Sequence, residues 1–97
     1  MFNLKFWDKE TSPLKLCKRY NSLLKYSNFK VVKKVCYHFV PQGFTALYLL
    51  SESHLAIHTF PEENKTYIEL SSCVEKQYYK FLENLKRLNI DIEIINN

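Results

Sequence analysis

The order of elements in this chain predicts an α+β fold, a two-layer sandwich of an antiparallel sheet with two helices on one face. Three observations carry that reading. Two stretches repeat apolar residues at helical spacing, near residues 16–24 and 74–88. The remaining apolar residues alternate or run in short blocks, as strands do. Their order is strand, helix, four strands, helix, strand, with short polar turns between neighbours. The whole of residues 1–97 is expected to form a single domain, because a chain of that length builds one modest core.

Asn3 to Trp7 reads as the first strand. Ser12-Pro13 opens a helix, with Ser as N-cap and Pro in the first helical position. Leu16, Cys17, Tyr20, Leu23 and Leu24 form its apolar stripe. Phe29 to Phe39 is strand-like through Val31, Val32, Val35 and Tyr37. Pro41-Gln42-Gly43 is a turn holding the chain's single glycine, which suggests a backbone position other residues would strain. Thr45 to Leu50 is a continuous apolar run, expected to be a strand buried on both faces. His54 to Phe60 alternates: Leu55, Ile57 and Thr59 share the core face, and His54, Ala56, His58 and Phe60 share the other. Thr66 to Leu70 follows the polar turn Glu63-Asn64-Lys65. Ser72-x-x-Glu75 has the form of a capping box opening the second helix. Asn89 stops that helix, and Ile90, Ile92 and Ile94 alternate in the last strand.

Composition narrows the function classes. A chain 46% hydrophobic should fold rather than stay disordered. No run is long enough to span a bilayer, and no signal-peptide pattern is present, so no membrane association is expected. The net charge of +4 is modest and its basic pairs are scattered, which argues against nucleic acid as a partner. Cys17, Cys36 and Cys73 are an odd count without metal-site spacing, so free thiols and a cytoplasmic location are expected. Cys17 and Cys36 read as core packing. No metal is expected either. His54 and His58 lie four apart on a strand, which separates them by about 13 Å.

Three motifs then stand in sequence order: Tyr37-His38-Phe39-Val40-Pro41-Gln42-Gly43-Phe44-Thr45, Glu52-Ser53-His54 followed by His58-Thr59-Phe60-Pro61-Glu62, and Cys73. In order and spacing they resemble the bacterial-type S-adenosylmethionine decarboxylase proenzymes over about the last two thirds of the chain. Phe60 stands where the family more often has Trp, and Val74 where Gly normally follows the cysteine.

The resemblance implies a reaction and a set of roles. The chain would cleave itself between Glu52 and Ser53, giving chains 1–52 and 53–97. Ser53 would attack the Glu52 carbonyl, and the new N-terminus would become a pyruvoyl group, the only cofactor implied. That ketone would form a Schiff base with the substrate's amino group and accept the electrons left by decarboxylation, which ordinary side chains cannot do. The setting of Ser53, in a turn between two strands, is one where a peptide bond can be held under strain. His58 would move a proton during cleavage, and Thr45 would assist that step. Cys73 would protonate the carbanion during turnover. Phe39 and Phe60 would stack on the substrate, and Glu62 would hold its ribose hydroxyls. The substrate implied is S-adenosylmethionine, the product the aminopropyl donor for spermidine synthesis, and the assembly a homodimer of cleaved protomers. Two alternatives stand beside this: a pyruvoyl-dependent decarboxylase of ornithine or arginine, and a non-catalytic homologue that regulates a partner subunit.

Overall fold

The computed structural model describes residues 1–96. Its elements are β1 (Phe2–Asp8), α1 (Pro13–Tyr26), β2 (Val31–His38), β3 (Phe44–Leu50), β4 (Ser53–Phe60), β5 (Lys65–Ser72), α2 (Glu75–Arg87) and β6 (Ile92–Ile94), with a 3-10 turn at Pro61–Glu63. The strands form one sheet in the order β2-β3-β4-β5-β1-β6. Every neighbouring pair is antiparallel. The expected α+β sandwich is what is found.

Local chemistry sets the helix ends. The Ser12 hydroxyl accepts the Lys15 N–H, and Pro13 fills the first turn. Asn28 turns left-handed at φ 65°, and the Phe29 N–H closes back on the Leu24 carbonyl, so α1 ends in a Schellman motif. Asn89, at φ 52°, ends α2 as expected. One face of the sheet packs on both helices. Leu16, Tyr20 and Leu24 of α1, Phe81 and Leu85 of α2, and Phe6, Ile57 and Ile68 of the sheet are fully buried together. Asp8, also buried, ties β1 to α1 by accepting from the Arg19 guanidinium and the Tyr20 hydroxyl, each at 2.6 Å. Burial first, and then the Asp8 charge, push the Tyr20 hydroxyl well above its ordinary range. Among the described residues no helix is long and apolar enough to cross a membrane.

Four expectations are corrected. β3 is buried on one face only: Phe44, Ala46, Tyr48 and Leu50 point to the core, whereas Leu47 and Leu49 are 48% and 54% exposed. Both helices lie on the same side of the sheet, so an unbroken apolar run here marks an uncovered outer face. β2 starts at Val31, not Phe29, and, at one edge of the sheet, is exposed along its whole length. Cys36 is therefore exposed rather than core packing, while Cys17 is half-buried. The capping box does not form. α2 begins at Glu75, and Val74 is its N-cap with no side-chain bond.

Candidate active site

The sequence-predicted residues fall into two groups at opposite ends of the β3–β4 hairpin. At one end Leu50 pairs with Ser53, so Ser51 and Glu52 form the turn. Ser53 is the first residue of β4, is 9% exposed, and donates its hydroxyl proton to the Ser72 oxygen at 2.8 Å. The Glu52 carbonyl, which belongs to the bond expected to break, accepts the backbone N–H of Cys73 at 3.1 Å. Cys73 lies between β5 and α2 with its side chain exposed. Glu52, Ser53 and Cys73 line one open cleft of about 480 Å³ together with Met1, Leu49 and His54. The strain expected at this turn is absent from its φ angles. Neither Ser51 nor Glu52 lies in the left-handed region.

At the other end Thr45 and His58 face each other across β3 and β4, and a 3.0 Å hydrogen bond joins Thr45 Oγ1 to His58 Nδ1. The His58 ring stacks on Tyr67 at 6.3 Å. The Tyr67 hydroxyl donates to Glu69 at 2.6 Å. Desolvation, and then the Glu69 carboxylate, push it up to about 12. Phe60 meets the Trp7 indole edge-on at 6.0 Å, and Lys65 Nζ lies 4.1 Å from the centre of that indole. Glu62 is exposed and accepts from the Gln42 side chain at 3.2 Å. Phe39 is half exposed beside Tyr37. Its backbone N–H donates to the Gly43 carbonyl at 2.8 Å. Gly43 sits at φ +114°, which explains why the chain's one glycine is there.

The two groups do not meet within one chain. His58 lies five residues beyond Ser53 on the same strand, about 17 Å along it. The odd spacing also sends the two side chains to opposite faces of the sheet, Ser53 with the buried set and His58 with the half-exposed set. His54 and His58 do lie on a strand, so the extended spacing used against a shared metal ion holds.

Sequence reasoning missed Ser72, Trp7 and Tyr67 as members of these groups. Ser72 pairs with Ser53 across β4 and β5, Tyr67 pairs with His58, and Trp7 pairs with Tyr67 across β5 and β1. No motif announces such pairs, because they depend on strand register.

The scaffold is shared with a solved adenosylmethionine decarboxylase. The crystal structure of the enzyme from Aquifex aeolicus superposes with a TM-score of 0.67, covering 96% of this chain and 88% of that one at 21% identity. At that identity the likeness is one of fold. A family model described as S-adenosylmethionine decarboxylase matches residues 9–89, and the chain belongs to that family. Curated relatives include an S-adenosylmethionine decarboxylase proenzyme from Moorella thermoacetica, 44% identical over 46 residues, or 46% of this chain and 37% of that protein. Another is S-adenosylmethionine decarboxylase proenzyme 2 from Bacillus cereus, 48% identical over 48 residues, or 50% of this chain and 39% of that protein. The chain thus spans less than half the length of the curated relatives it matches.

Proposed function

We propose that this chain is a self-processing S-adenosylmethionine decarboxylase that cleaves between Glu52 and Ser53. The observation that carries the proposal is the hydrogen bond from the Cys73 N–H to the Glu52 carbonyl, beside the nearly buried hydroxyl of Ser53. A donor aimed at that oxygen polarises the carbonyl and stabilises the oxyanion that forms when Ser53 Oγ adds to the carbon. The chemistry balances without a co-reactant other than water. The Oγ–C bond forms, the C–N bond breaks, and the hydroxyl proton ends on the Ser53 nitrogen, leaving an ester. Loss of the Ser53 Cα proton then breaks the Cβ–Oγ bond, releases chain 1–52 with a new C-terminal α-carboxylate and leaves dehydroalanine at position 53. Its tautomer adds water and loses ammonia, and a pyruvoyl group remains.

The residues around position 53 fit such a group, since the cleft that holds Ser53 also holds the Cys73 thiol. The pyruvoyl group supplies an electron sink for decarboxylation. In turnover Cys73 holds the proton that returns to the product carbon. Phe39 and Phe60 offer ring faces for an adenine and a sulfonium cation, and Glu62 offers a carboxylate for ribose hydroxyls. Retention of all three favours S-adenosylmethionine over ornithine or arginine, which carry neither ring nor ribose.

The partner is a second copy of this chain. His58 and Thr45 stand about 17 Å from their own Ser53. A two-fold axis through the middle of the hairpin, with outer faces stacked, would bring the His58 end of one copy over the other's cleft at Glu52-Ser53, which Leu49 and His54 line from the outer face. The exposed Leu47 and Leu49 lie on that outer face and would be buried by it. Three free thiols support placement in the cytoplasm.

Denaturing mass spectrometry of purified protein tests the central claim. Chain 1–52 and a pyruvoyl-capped chain 53–97 are expected, with Ser53→Ala staying whole. Wild-type protein that remains full-length after long incubation would overturn the reading in favour of a non-catalytic homologue.

A further inference from the structure

Ser72 heads a sequence pattern for helix capping, yet its hydroxyl accepts no N–H from within α2. It is fully buried at the end of β5, opposite Ser53. Its oxygen accepts the Val74 N–H at 3.0 Å and the Ser53 hydroxyl at 2.8 Å, and its own proton goes to the Val74 carbonyl at 3.2 Å. A serine hydroxyl has one proton and two lone pairs. Here all three are committed, so Ser72 has no proton left to give Ser53. In the pair of hydroxyls Ser53 must be the donor.

From this geometry we infer that Ser72 is a positioning residue for self-cleavage, an inference that rests on the function proposed above. By drawing the Ser53 proton toward β5, it turns the free lone pairs of Ser53 Oγ away from Ser72 and leaves them to add to the Glu52 carbon. It also fixes the Ser53 rotamer. The next residue, Cys73, delivers its N–H to the Glu52 oxygen. One turn between β5 and α2 therefore orients both the nucleophile and the carbonyl. Positioning of this kind acts on formation of the ester and not on its later elimination.

The test follows cleavage of wild type, Ser72→Ala, Ser72→Thr and Ser72→Cys by intact mass, with and without hydroxylamine, which cleaves the ester as it forms. Thermal unfolding checks that each is folded. Thr keeps the acceptor, whereas the nearly isosteric Cys accepts only weakly. Ser72→Cys and Ser72→Ala should slow both spontaneous and hydroxylamine-driven cleavage by about tenfold or more. Ser72→Thr should stay close to wild type. If Ser72→Ala fails to fold, Ser72→Cys decides. Folded Ser72→Cys that cleaves as fast as wild type, or is slow alone but fully rescued by hydroxylamine, removes this role and leaves self-cleavage standing. A wild-type chain that never cleaves removes the cleavage reading and this role with it.

Discussion

The two ends of the β3–β4 hairpin are built differently. At the Ser53 end two serine hydroxyls are buried and bonded to each other, the donor to the Glu52 carbonyl is a backbone N–H, and Glu52, His54 and Cys73 are exposed beside them. At the His58 end the groups are half exposed, aromatic or titratable, and bonded through side chains. The first arrangement suits a single covalent event at one peptide bond, because fixed neutral donors need no reorganisation. The second suits proton transfer and recognition of a flat, charged ligand. In the proposed dimer each end of the hairpin would supply half of a site, and two antiparallel copies would complete both.

The largest effect should come from mixing the halves. His58→Ala alone should cleave about 10²-fold or more slowly, as loss of a proton-transfer group does. Ser53→Ala should not cleave at all. Co-expressed with distinguishable tags, the two variants form mixed dimers in which one site keeps an intact Ser53 and an intact His58. His58→Ala chains should then regain cleavage. Absence of rescue, measured by mass on mixed dimers shown to have formed, would mean that the two ends act separately.

Next in size is a contrast at Cys73 between its backbone and its side chain. Cys73→Ala keeps the N–H on Glu52, so the chain should still cleave, while decarboxylation falls by about 10²–10⁴-fold. Cys73→Pro removes the N–H and should slow cleavage by about 10²–10³-fold. Equal cleavage by both variants, each folded by thermal unfolding, would remove the backbone donor from the mechanism.

Most of the fold was legible because it rests on periodicity. The alternation through Leu55, Ile57 and Thr59 and the stripe through Leu16, Tyr20 and Leu24 named their buried faces correctly. The misreadings share one cause. Leu47 and Leu49 look like core residues, and only the one-sided placement of the helices reveals that they are not. Ser72 looks like a cap because a capping box is defined by spacing along the chain, whereas its partner Ser53 lies 19 residues away and is reached through the β4–β5 register. The separation of Ser53 from His58 could have been read from their odd spacing on one strand. The second copy proposed to complete the site is likewise something one chain's pattern does not describe.

A smaller effect is expected at Glu62, which is exposed and already bonded to Gln42. Glu62→Gln should weaken S-adenosylmethionine binding by about tenfold, because a neutral amide accepts hydroxyls less strongly than a carboxylate. Release of labelled CO2 from S-adenosylmethionine, ornithine and arginine checks this. Faster turnover of either basic amino acid, untouched by Glu62→Gln, would reassign the substrate and leave the two-ended site intact.

The smallest effect concerns alkaline stability at the His58 end. Tyr67 is raised from 10.0 to about 12, first by desolvation and then by Glu69. Between those values the folded chain keeps a proton that the unfolded chain has released. The stabilisation from this group is therefore full below about pH 10 and is lost as pH rises toward about 12. Tyr67→Phe has no such proton, so its thermal midpoint should fall less steeply across that window than that of wild type. Tyr48 on the core face is also raised to about 12, but it is present in both proteins and cancels in the difference. Because Tyr67 is only partly buried, solvent screening should keep the difference to a few degrees. Parallel curves from pH 9 to 12 would mean that the Tyr67–Glu69 bond does nothing for stability. Its place beside His58 would then be explained by the stacked ring alone.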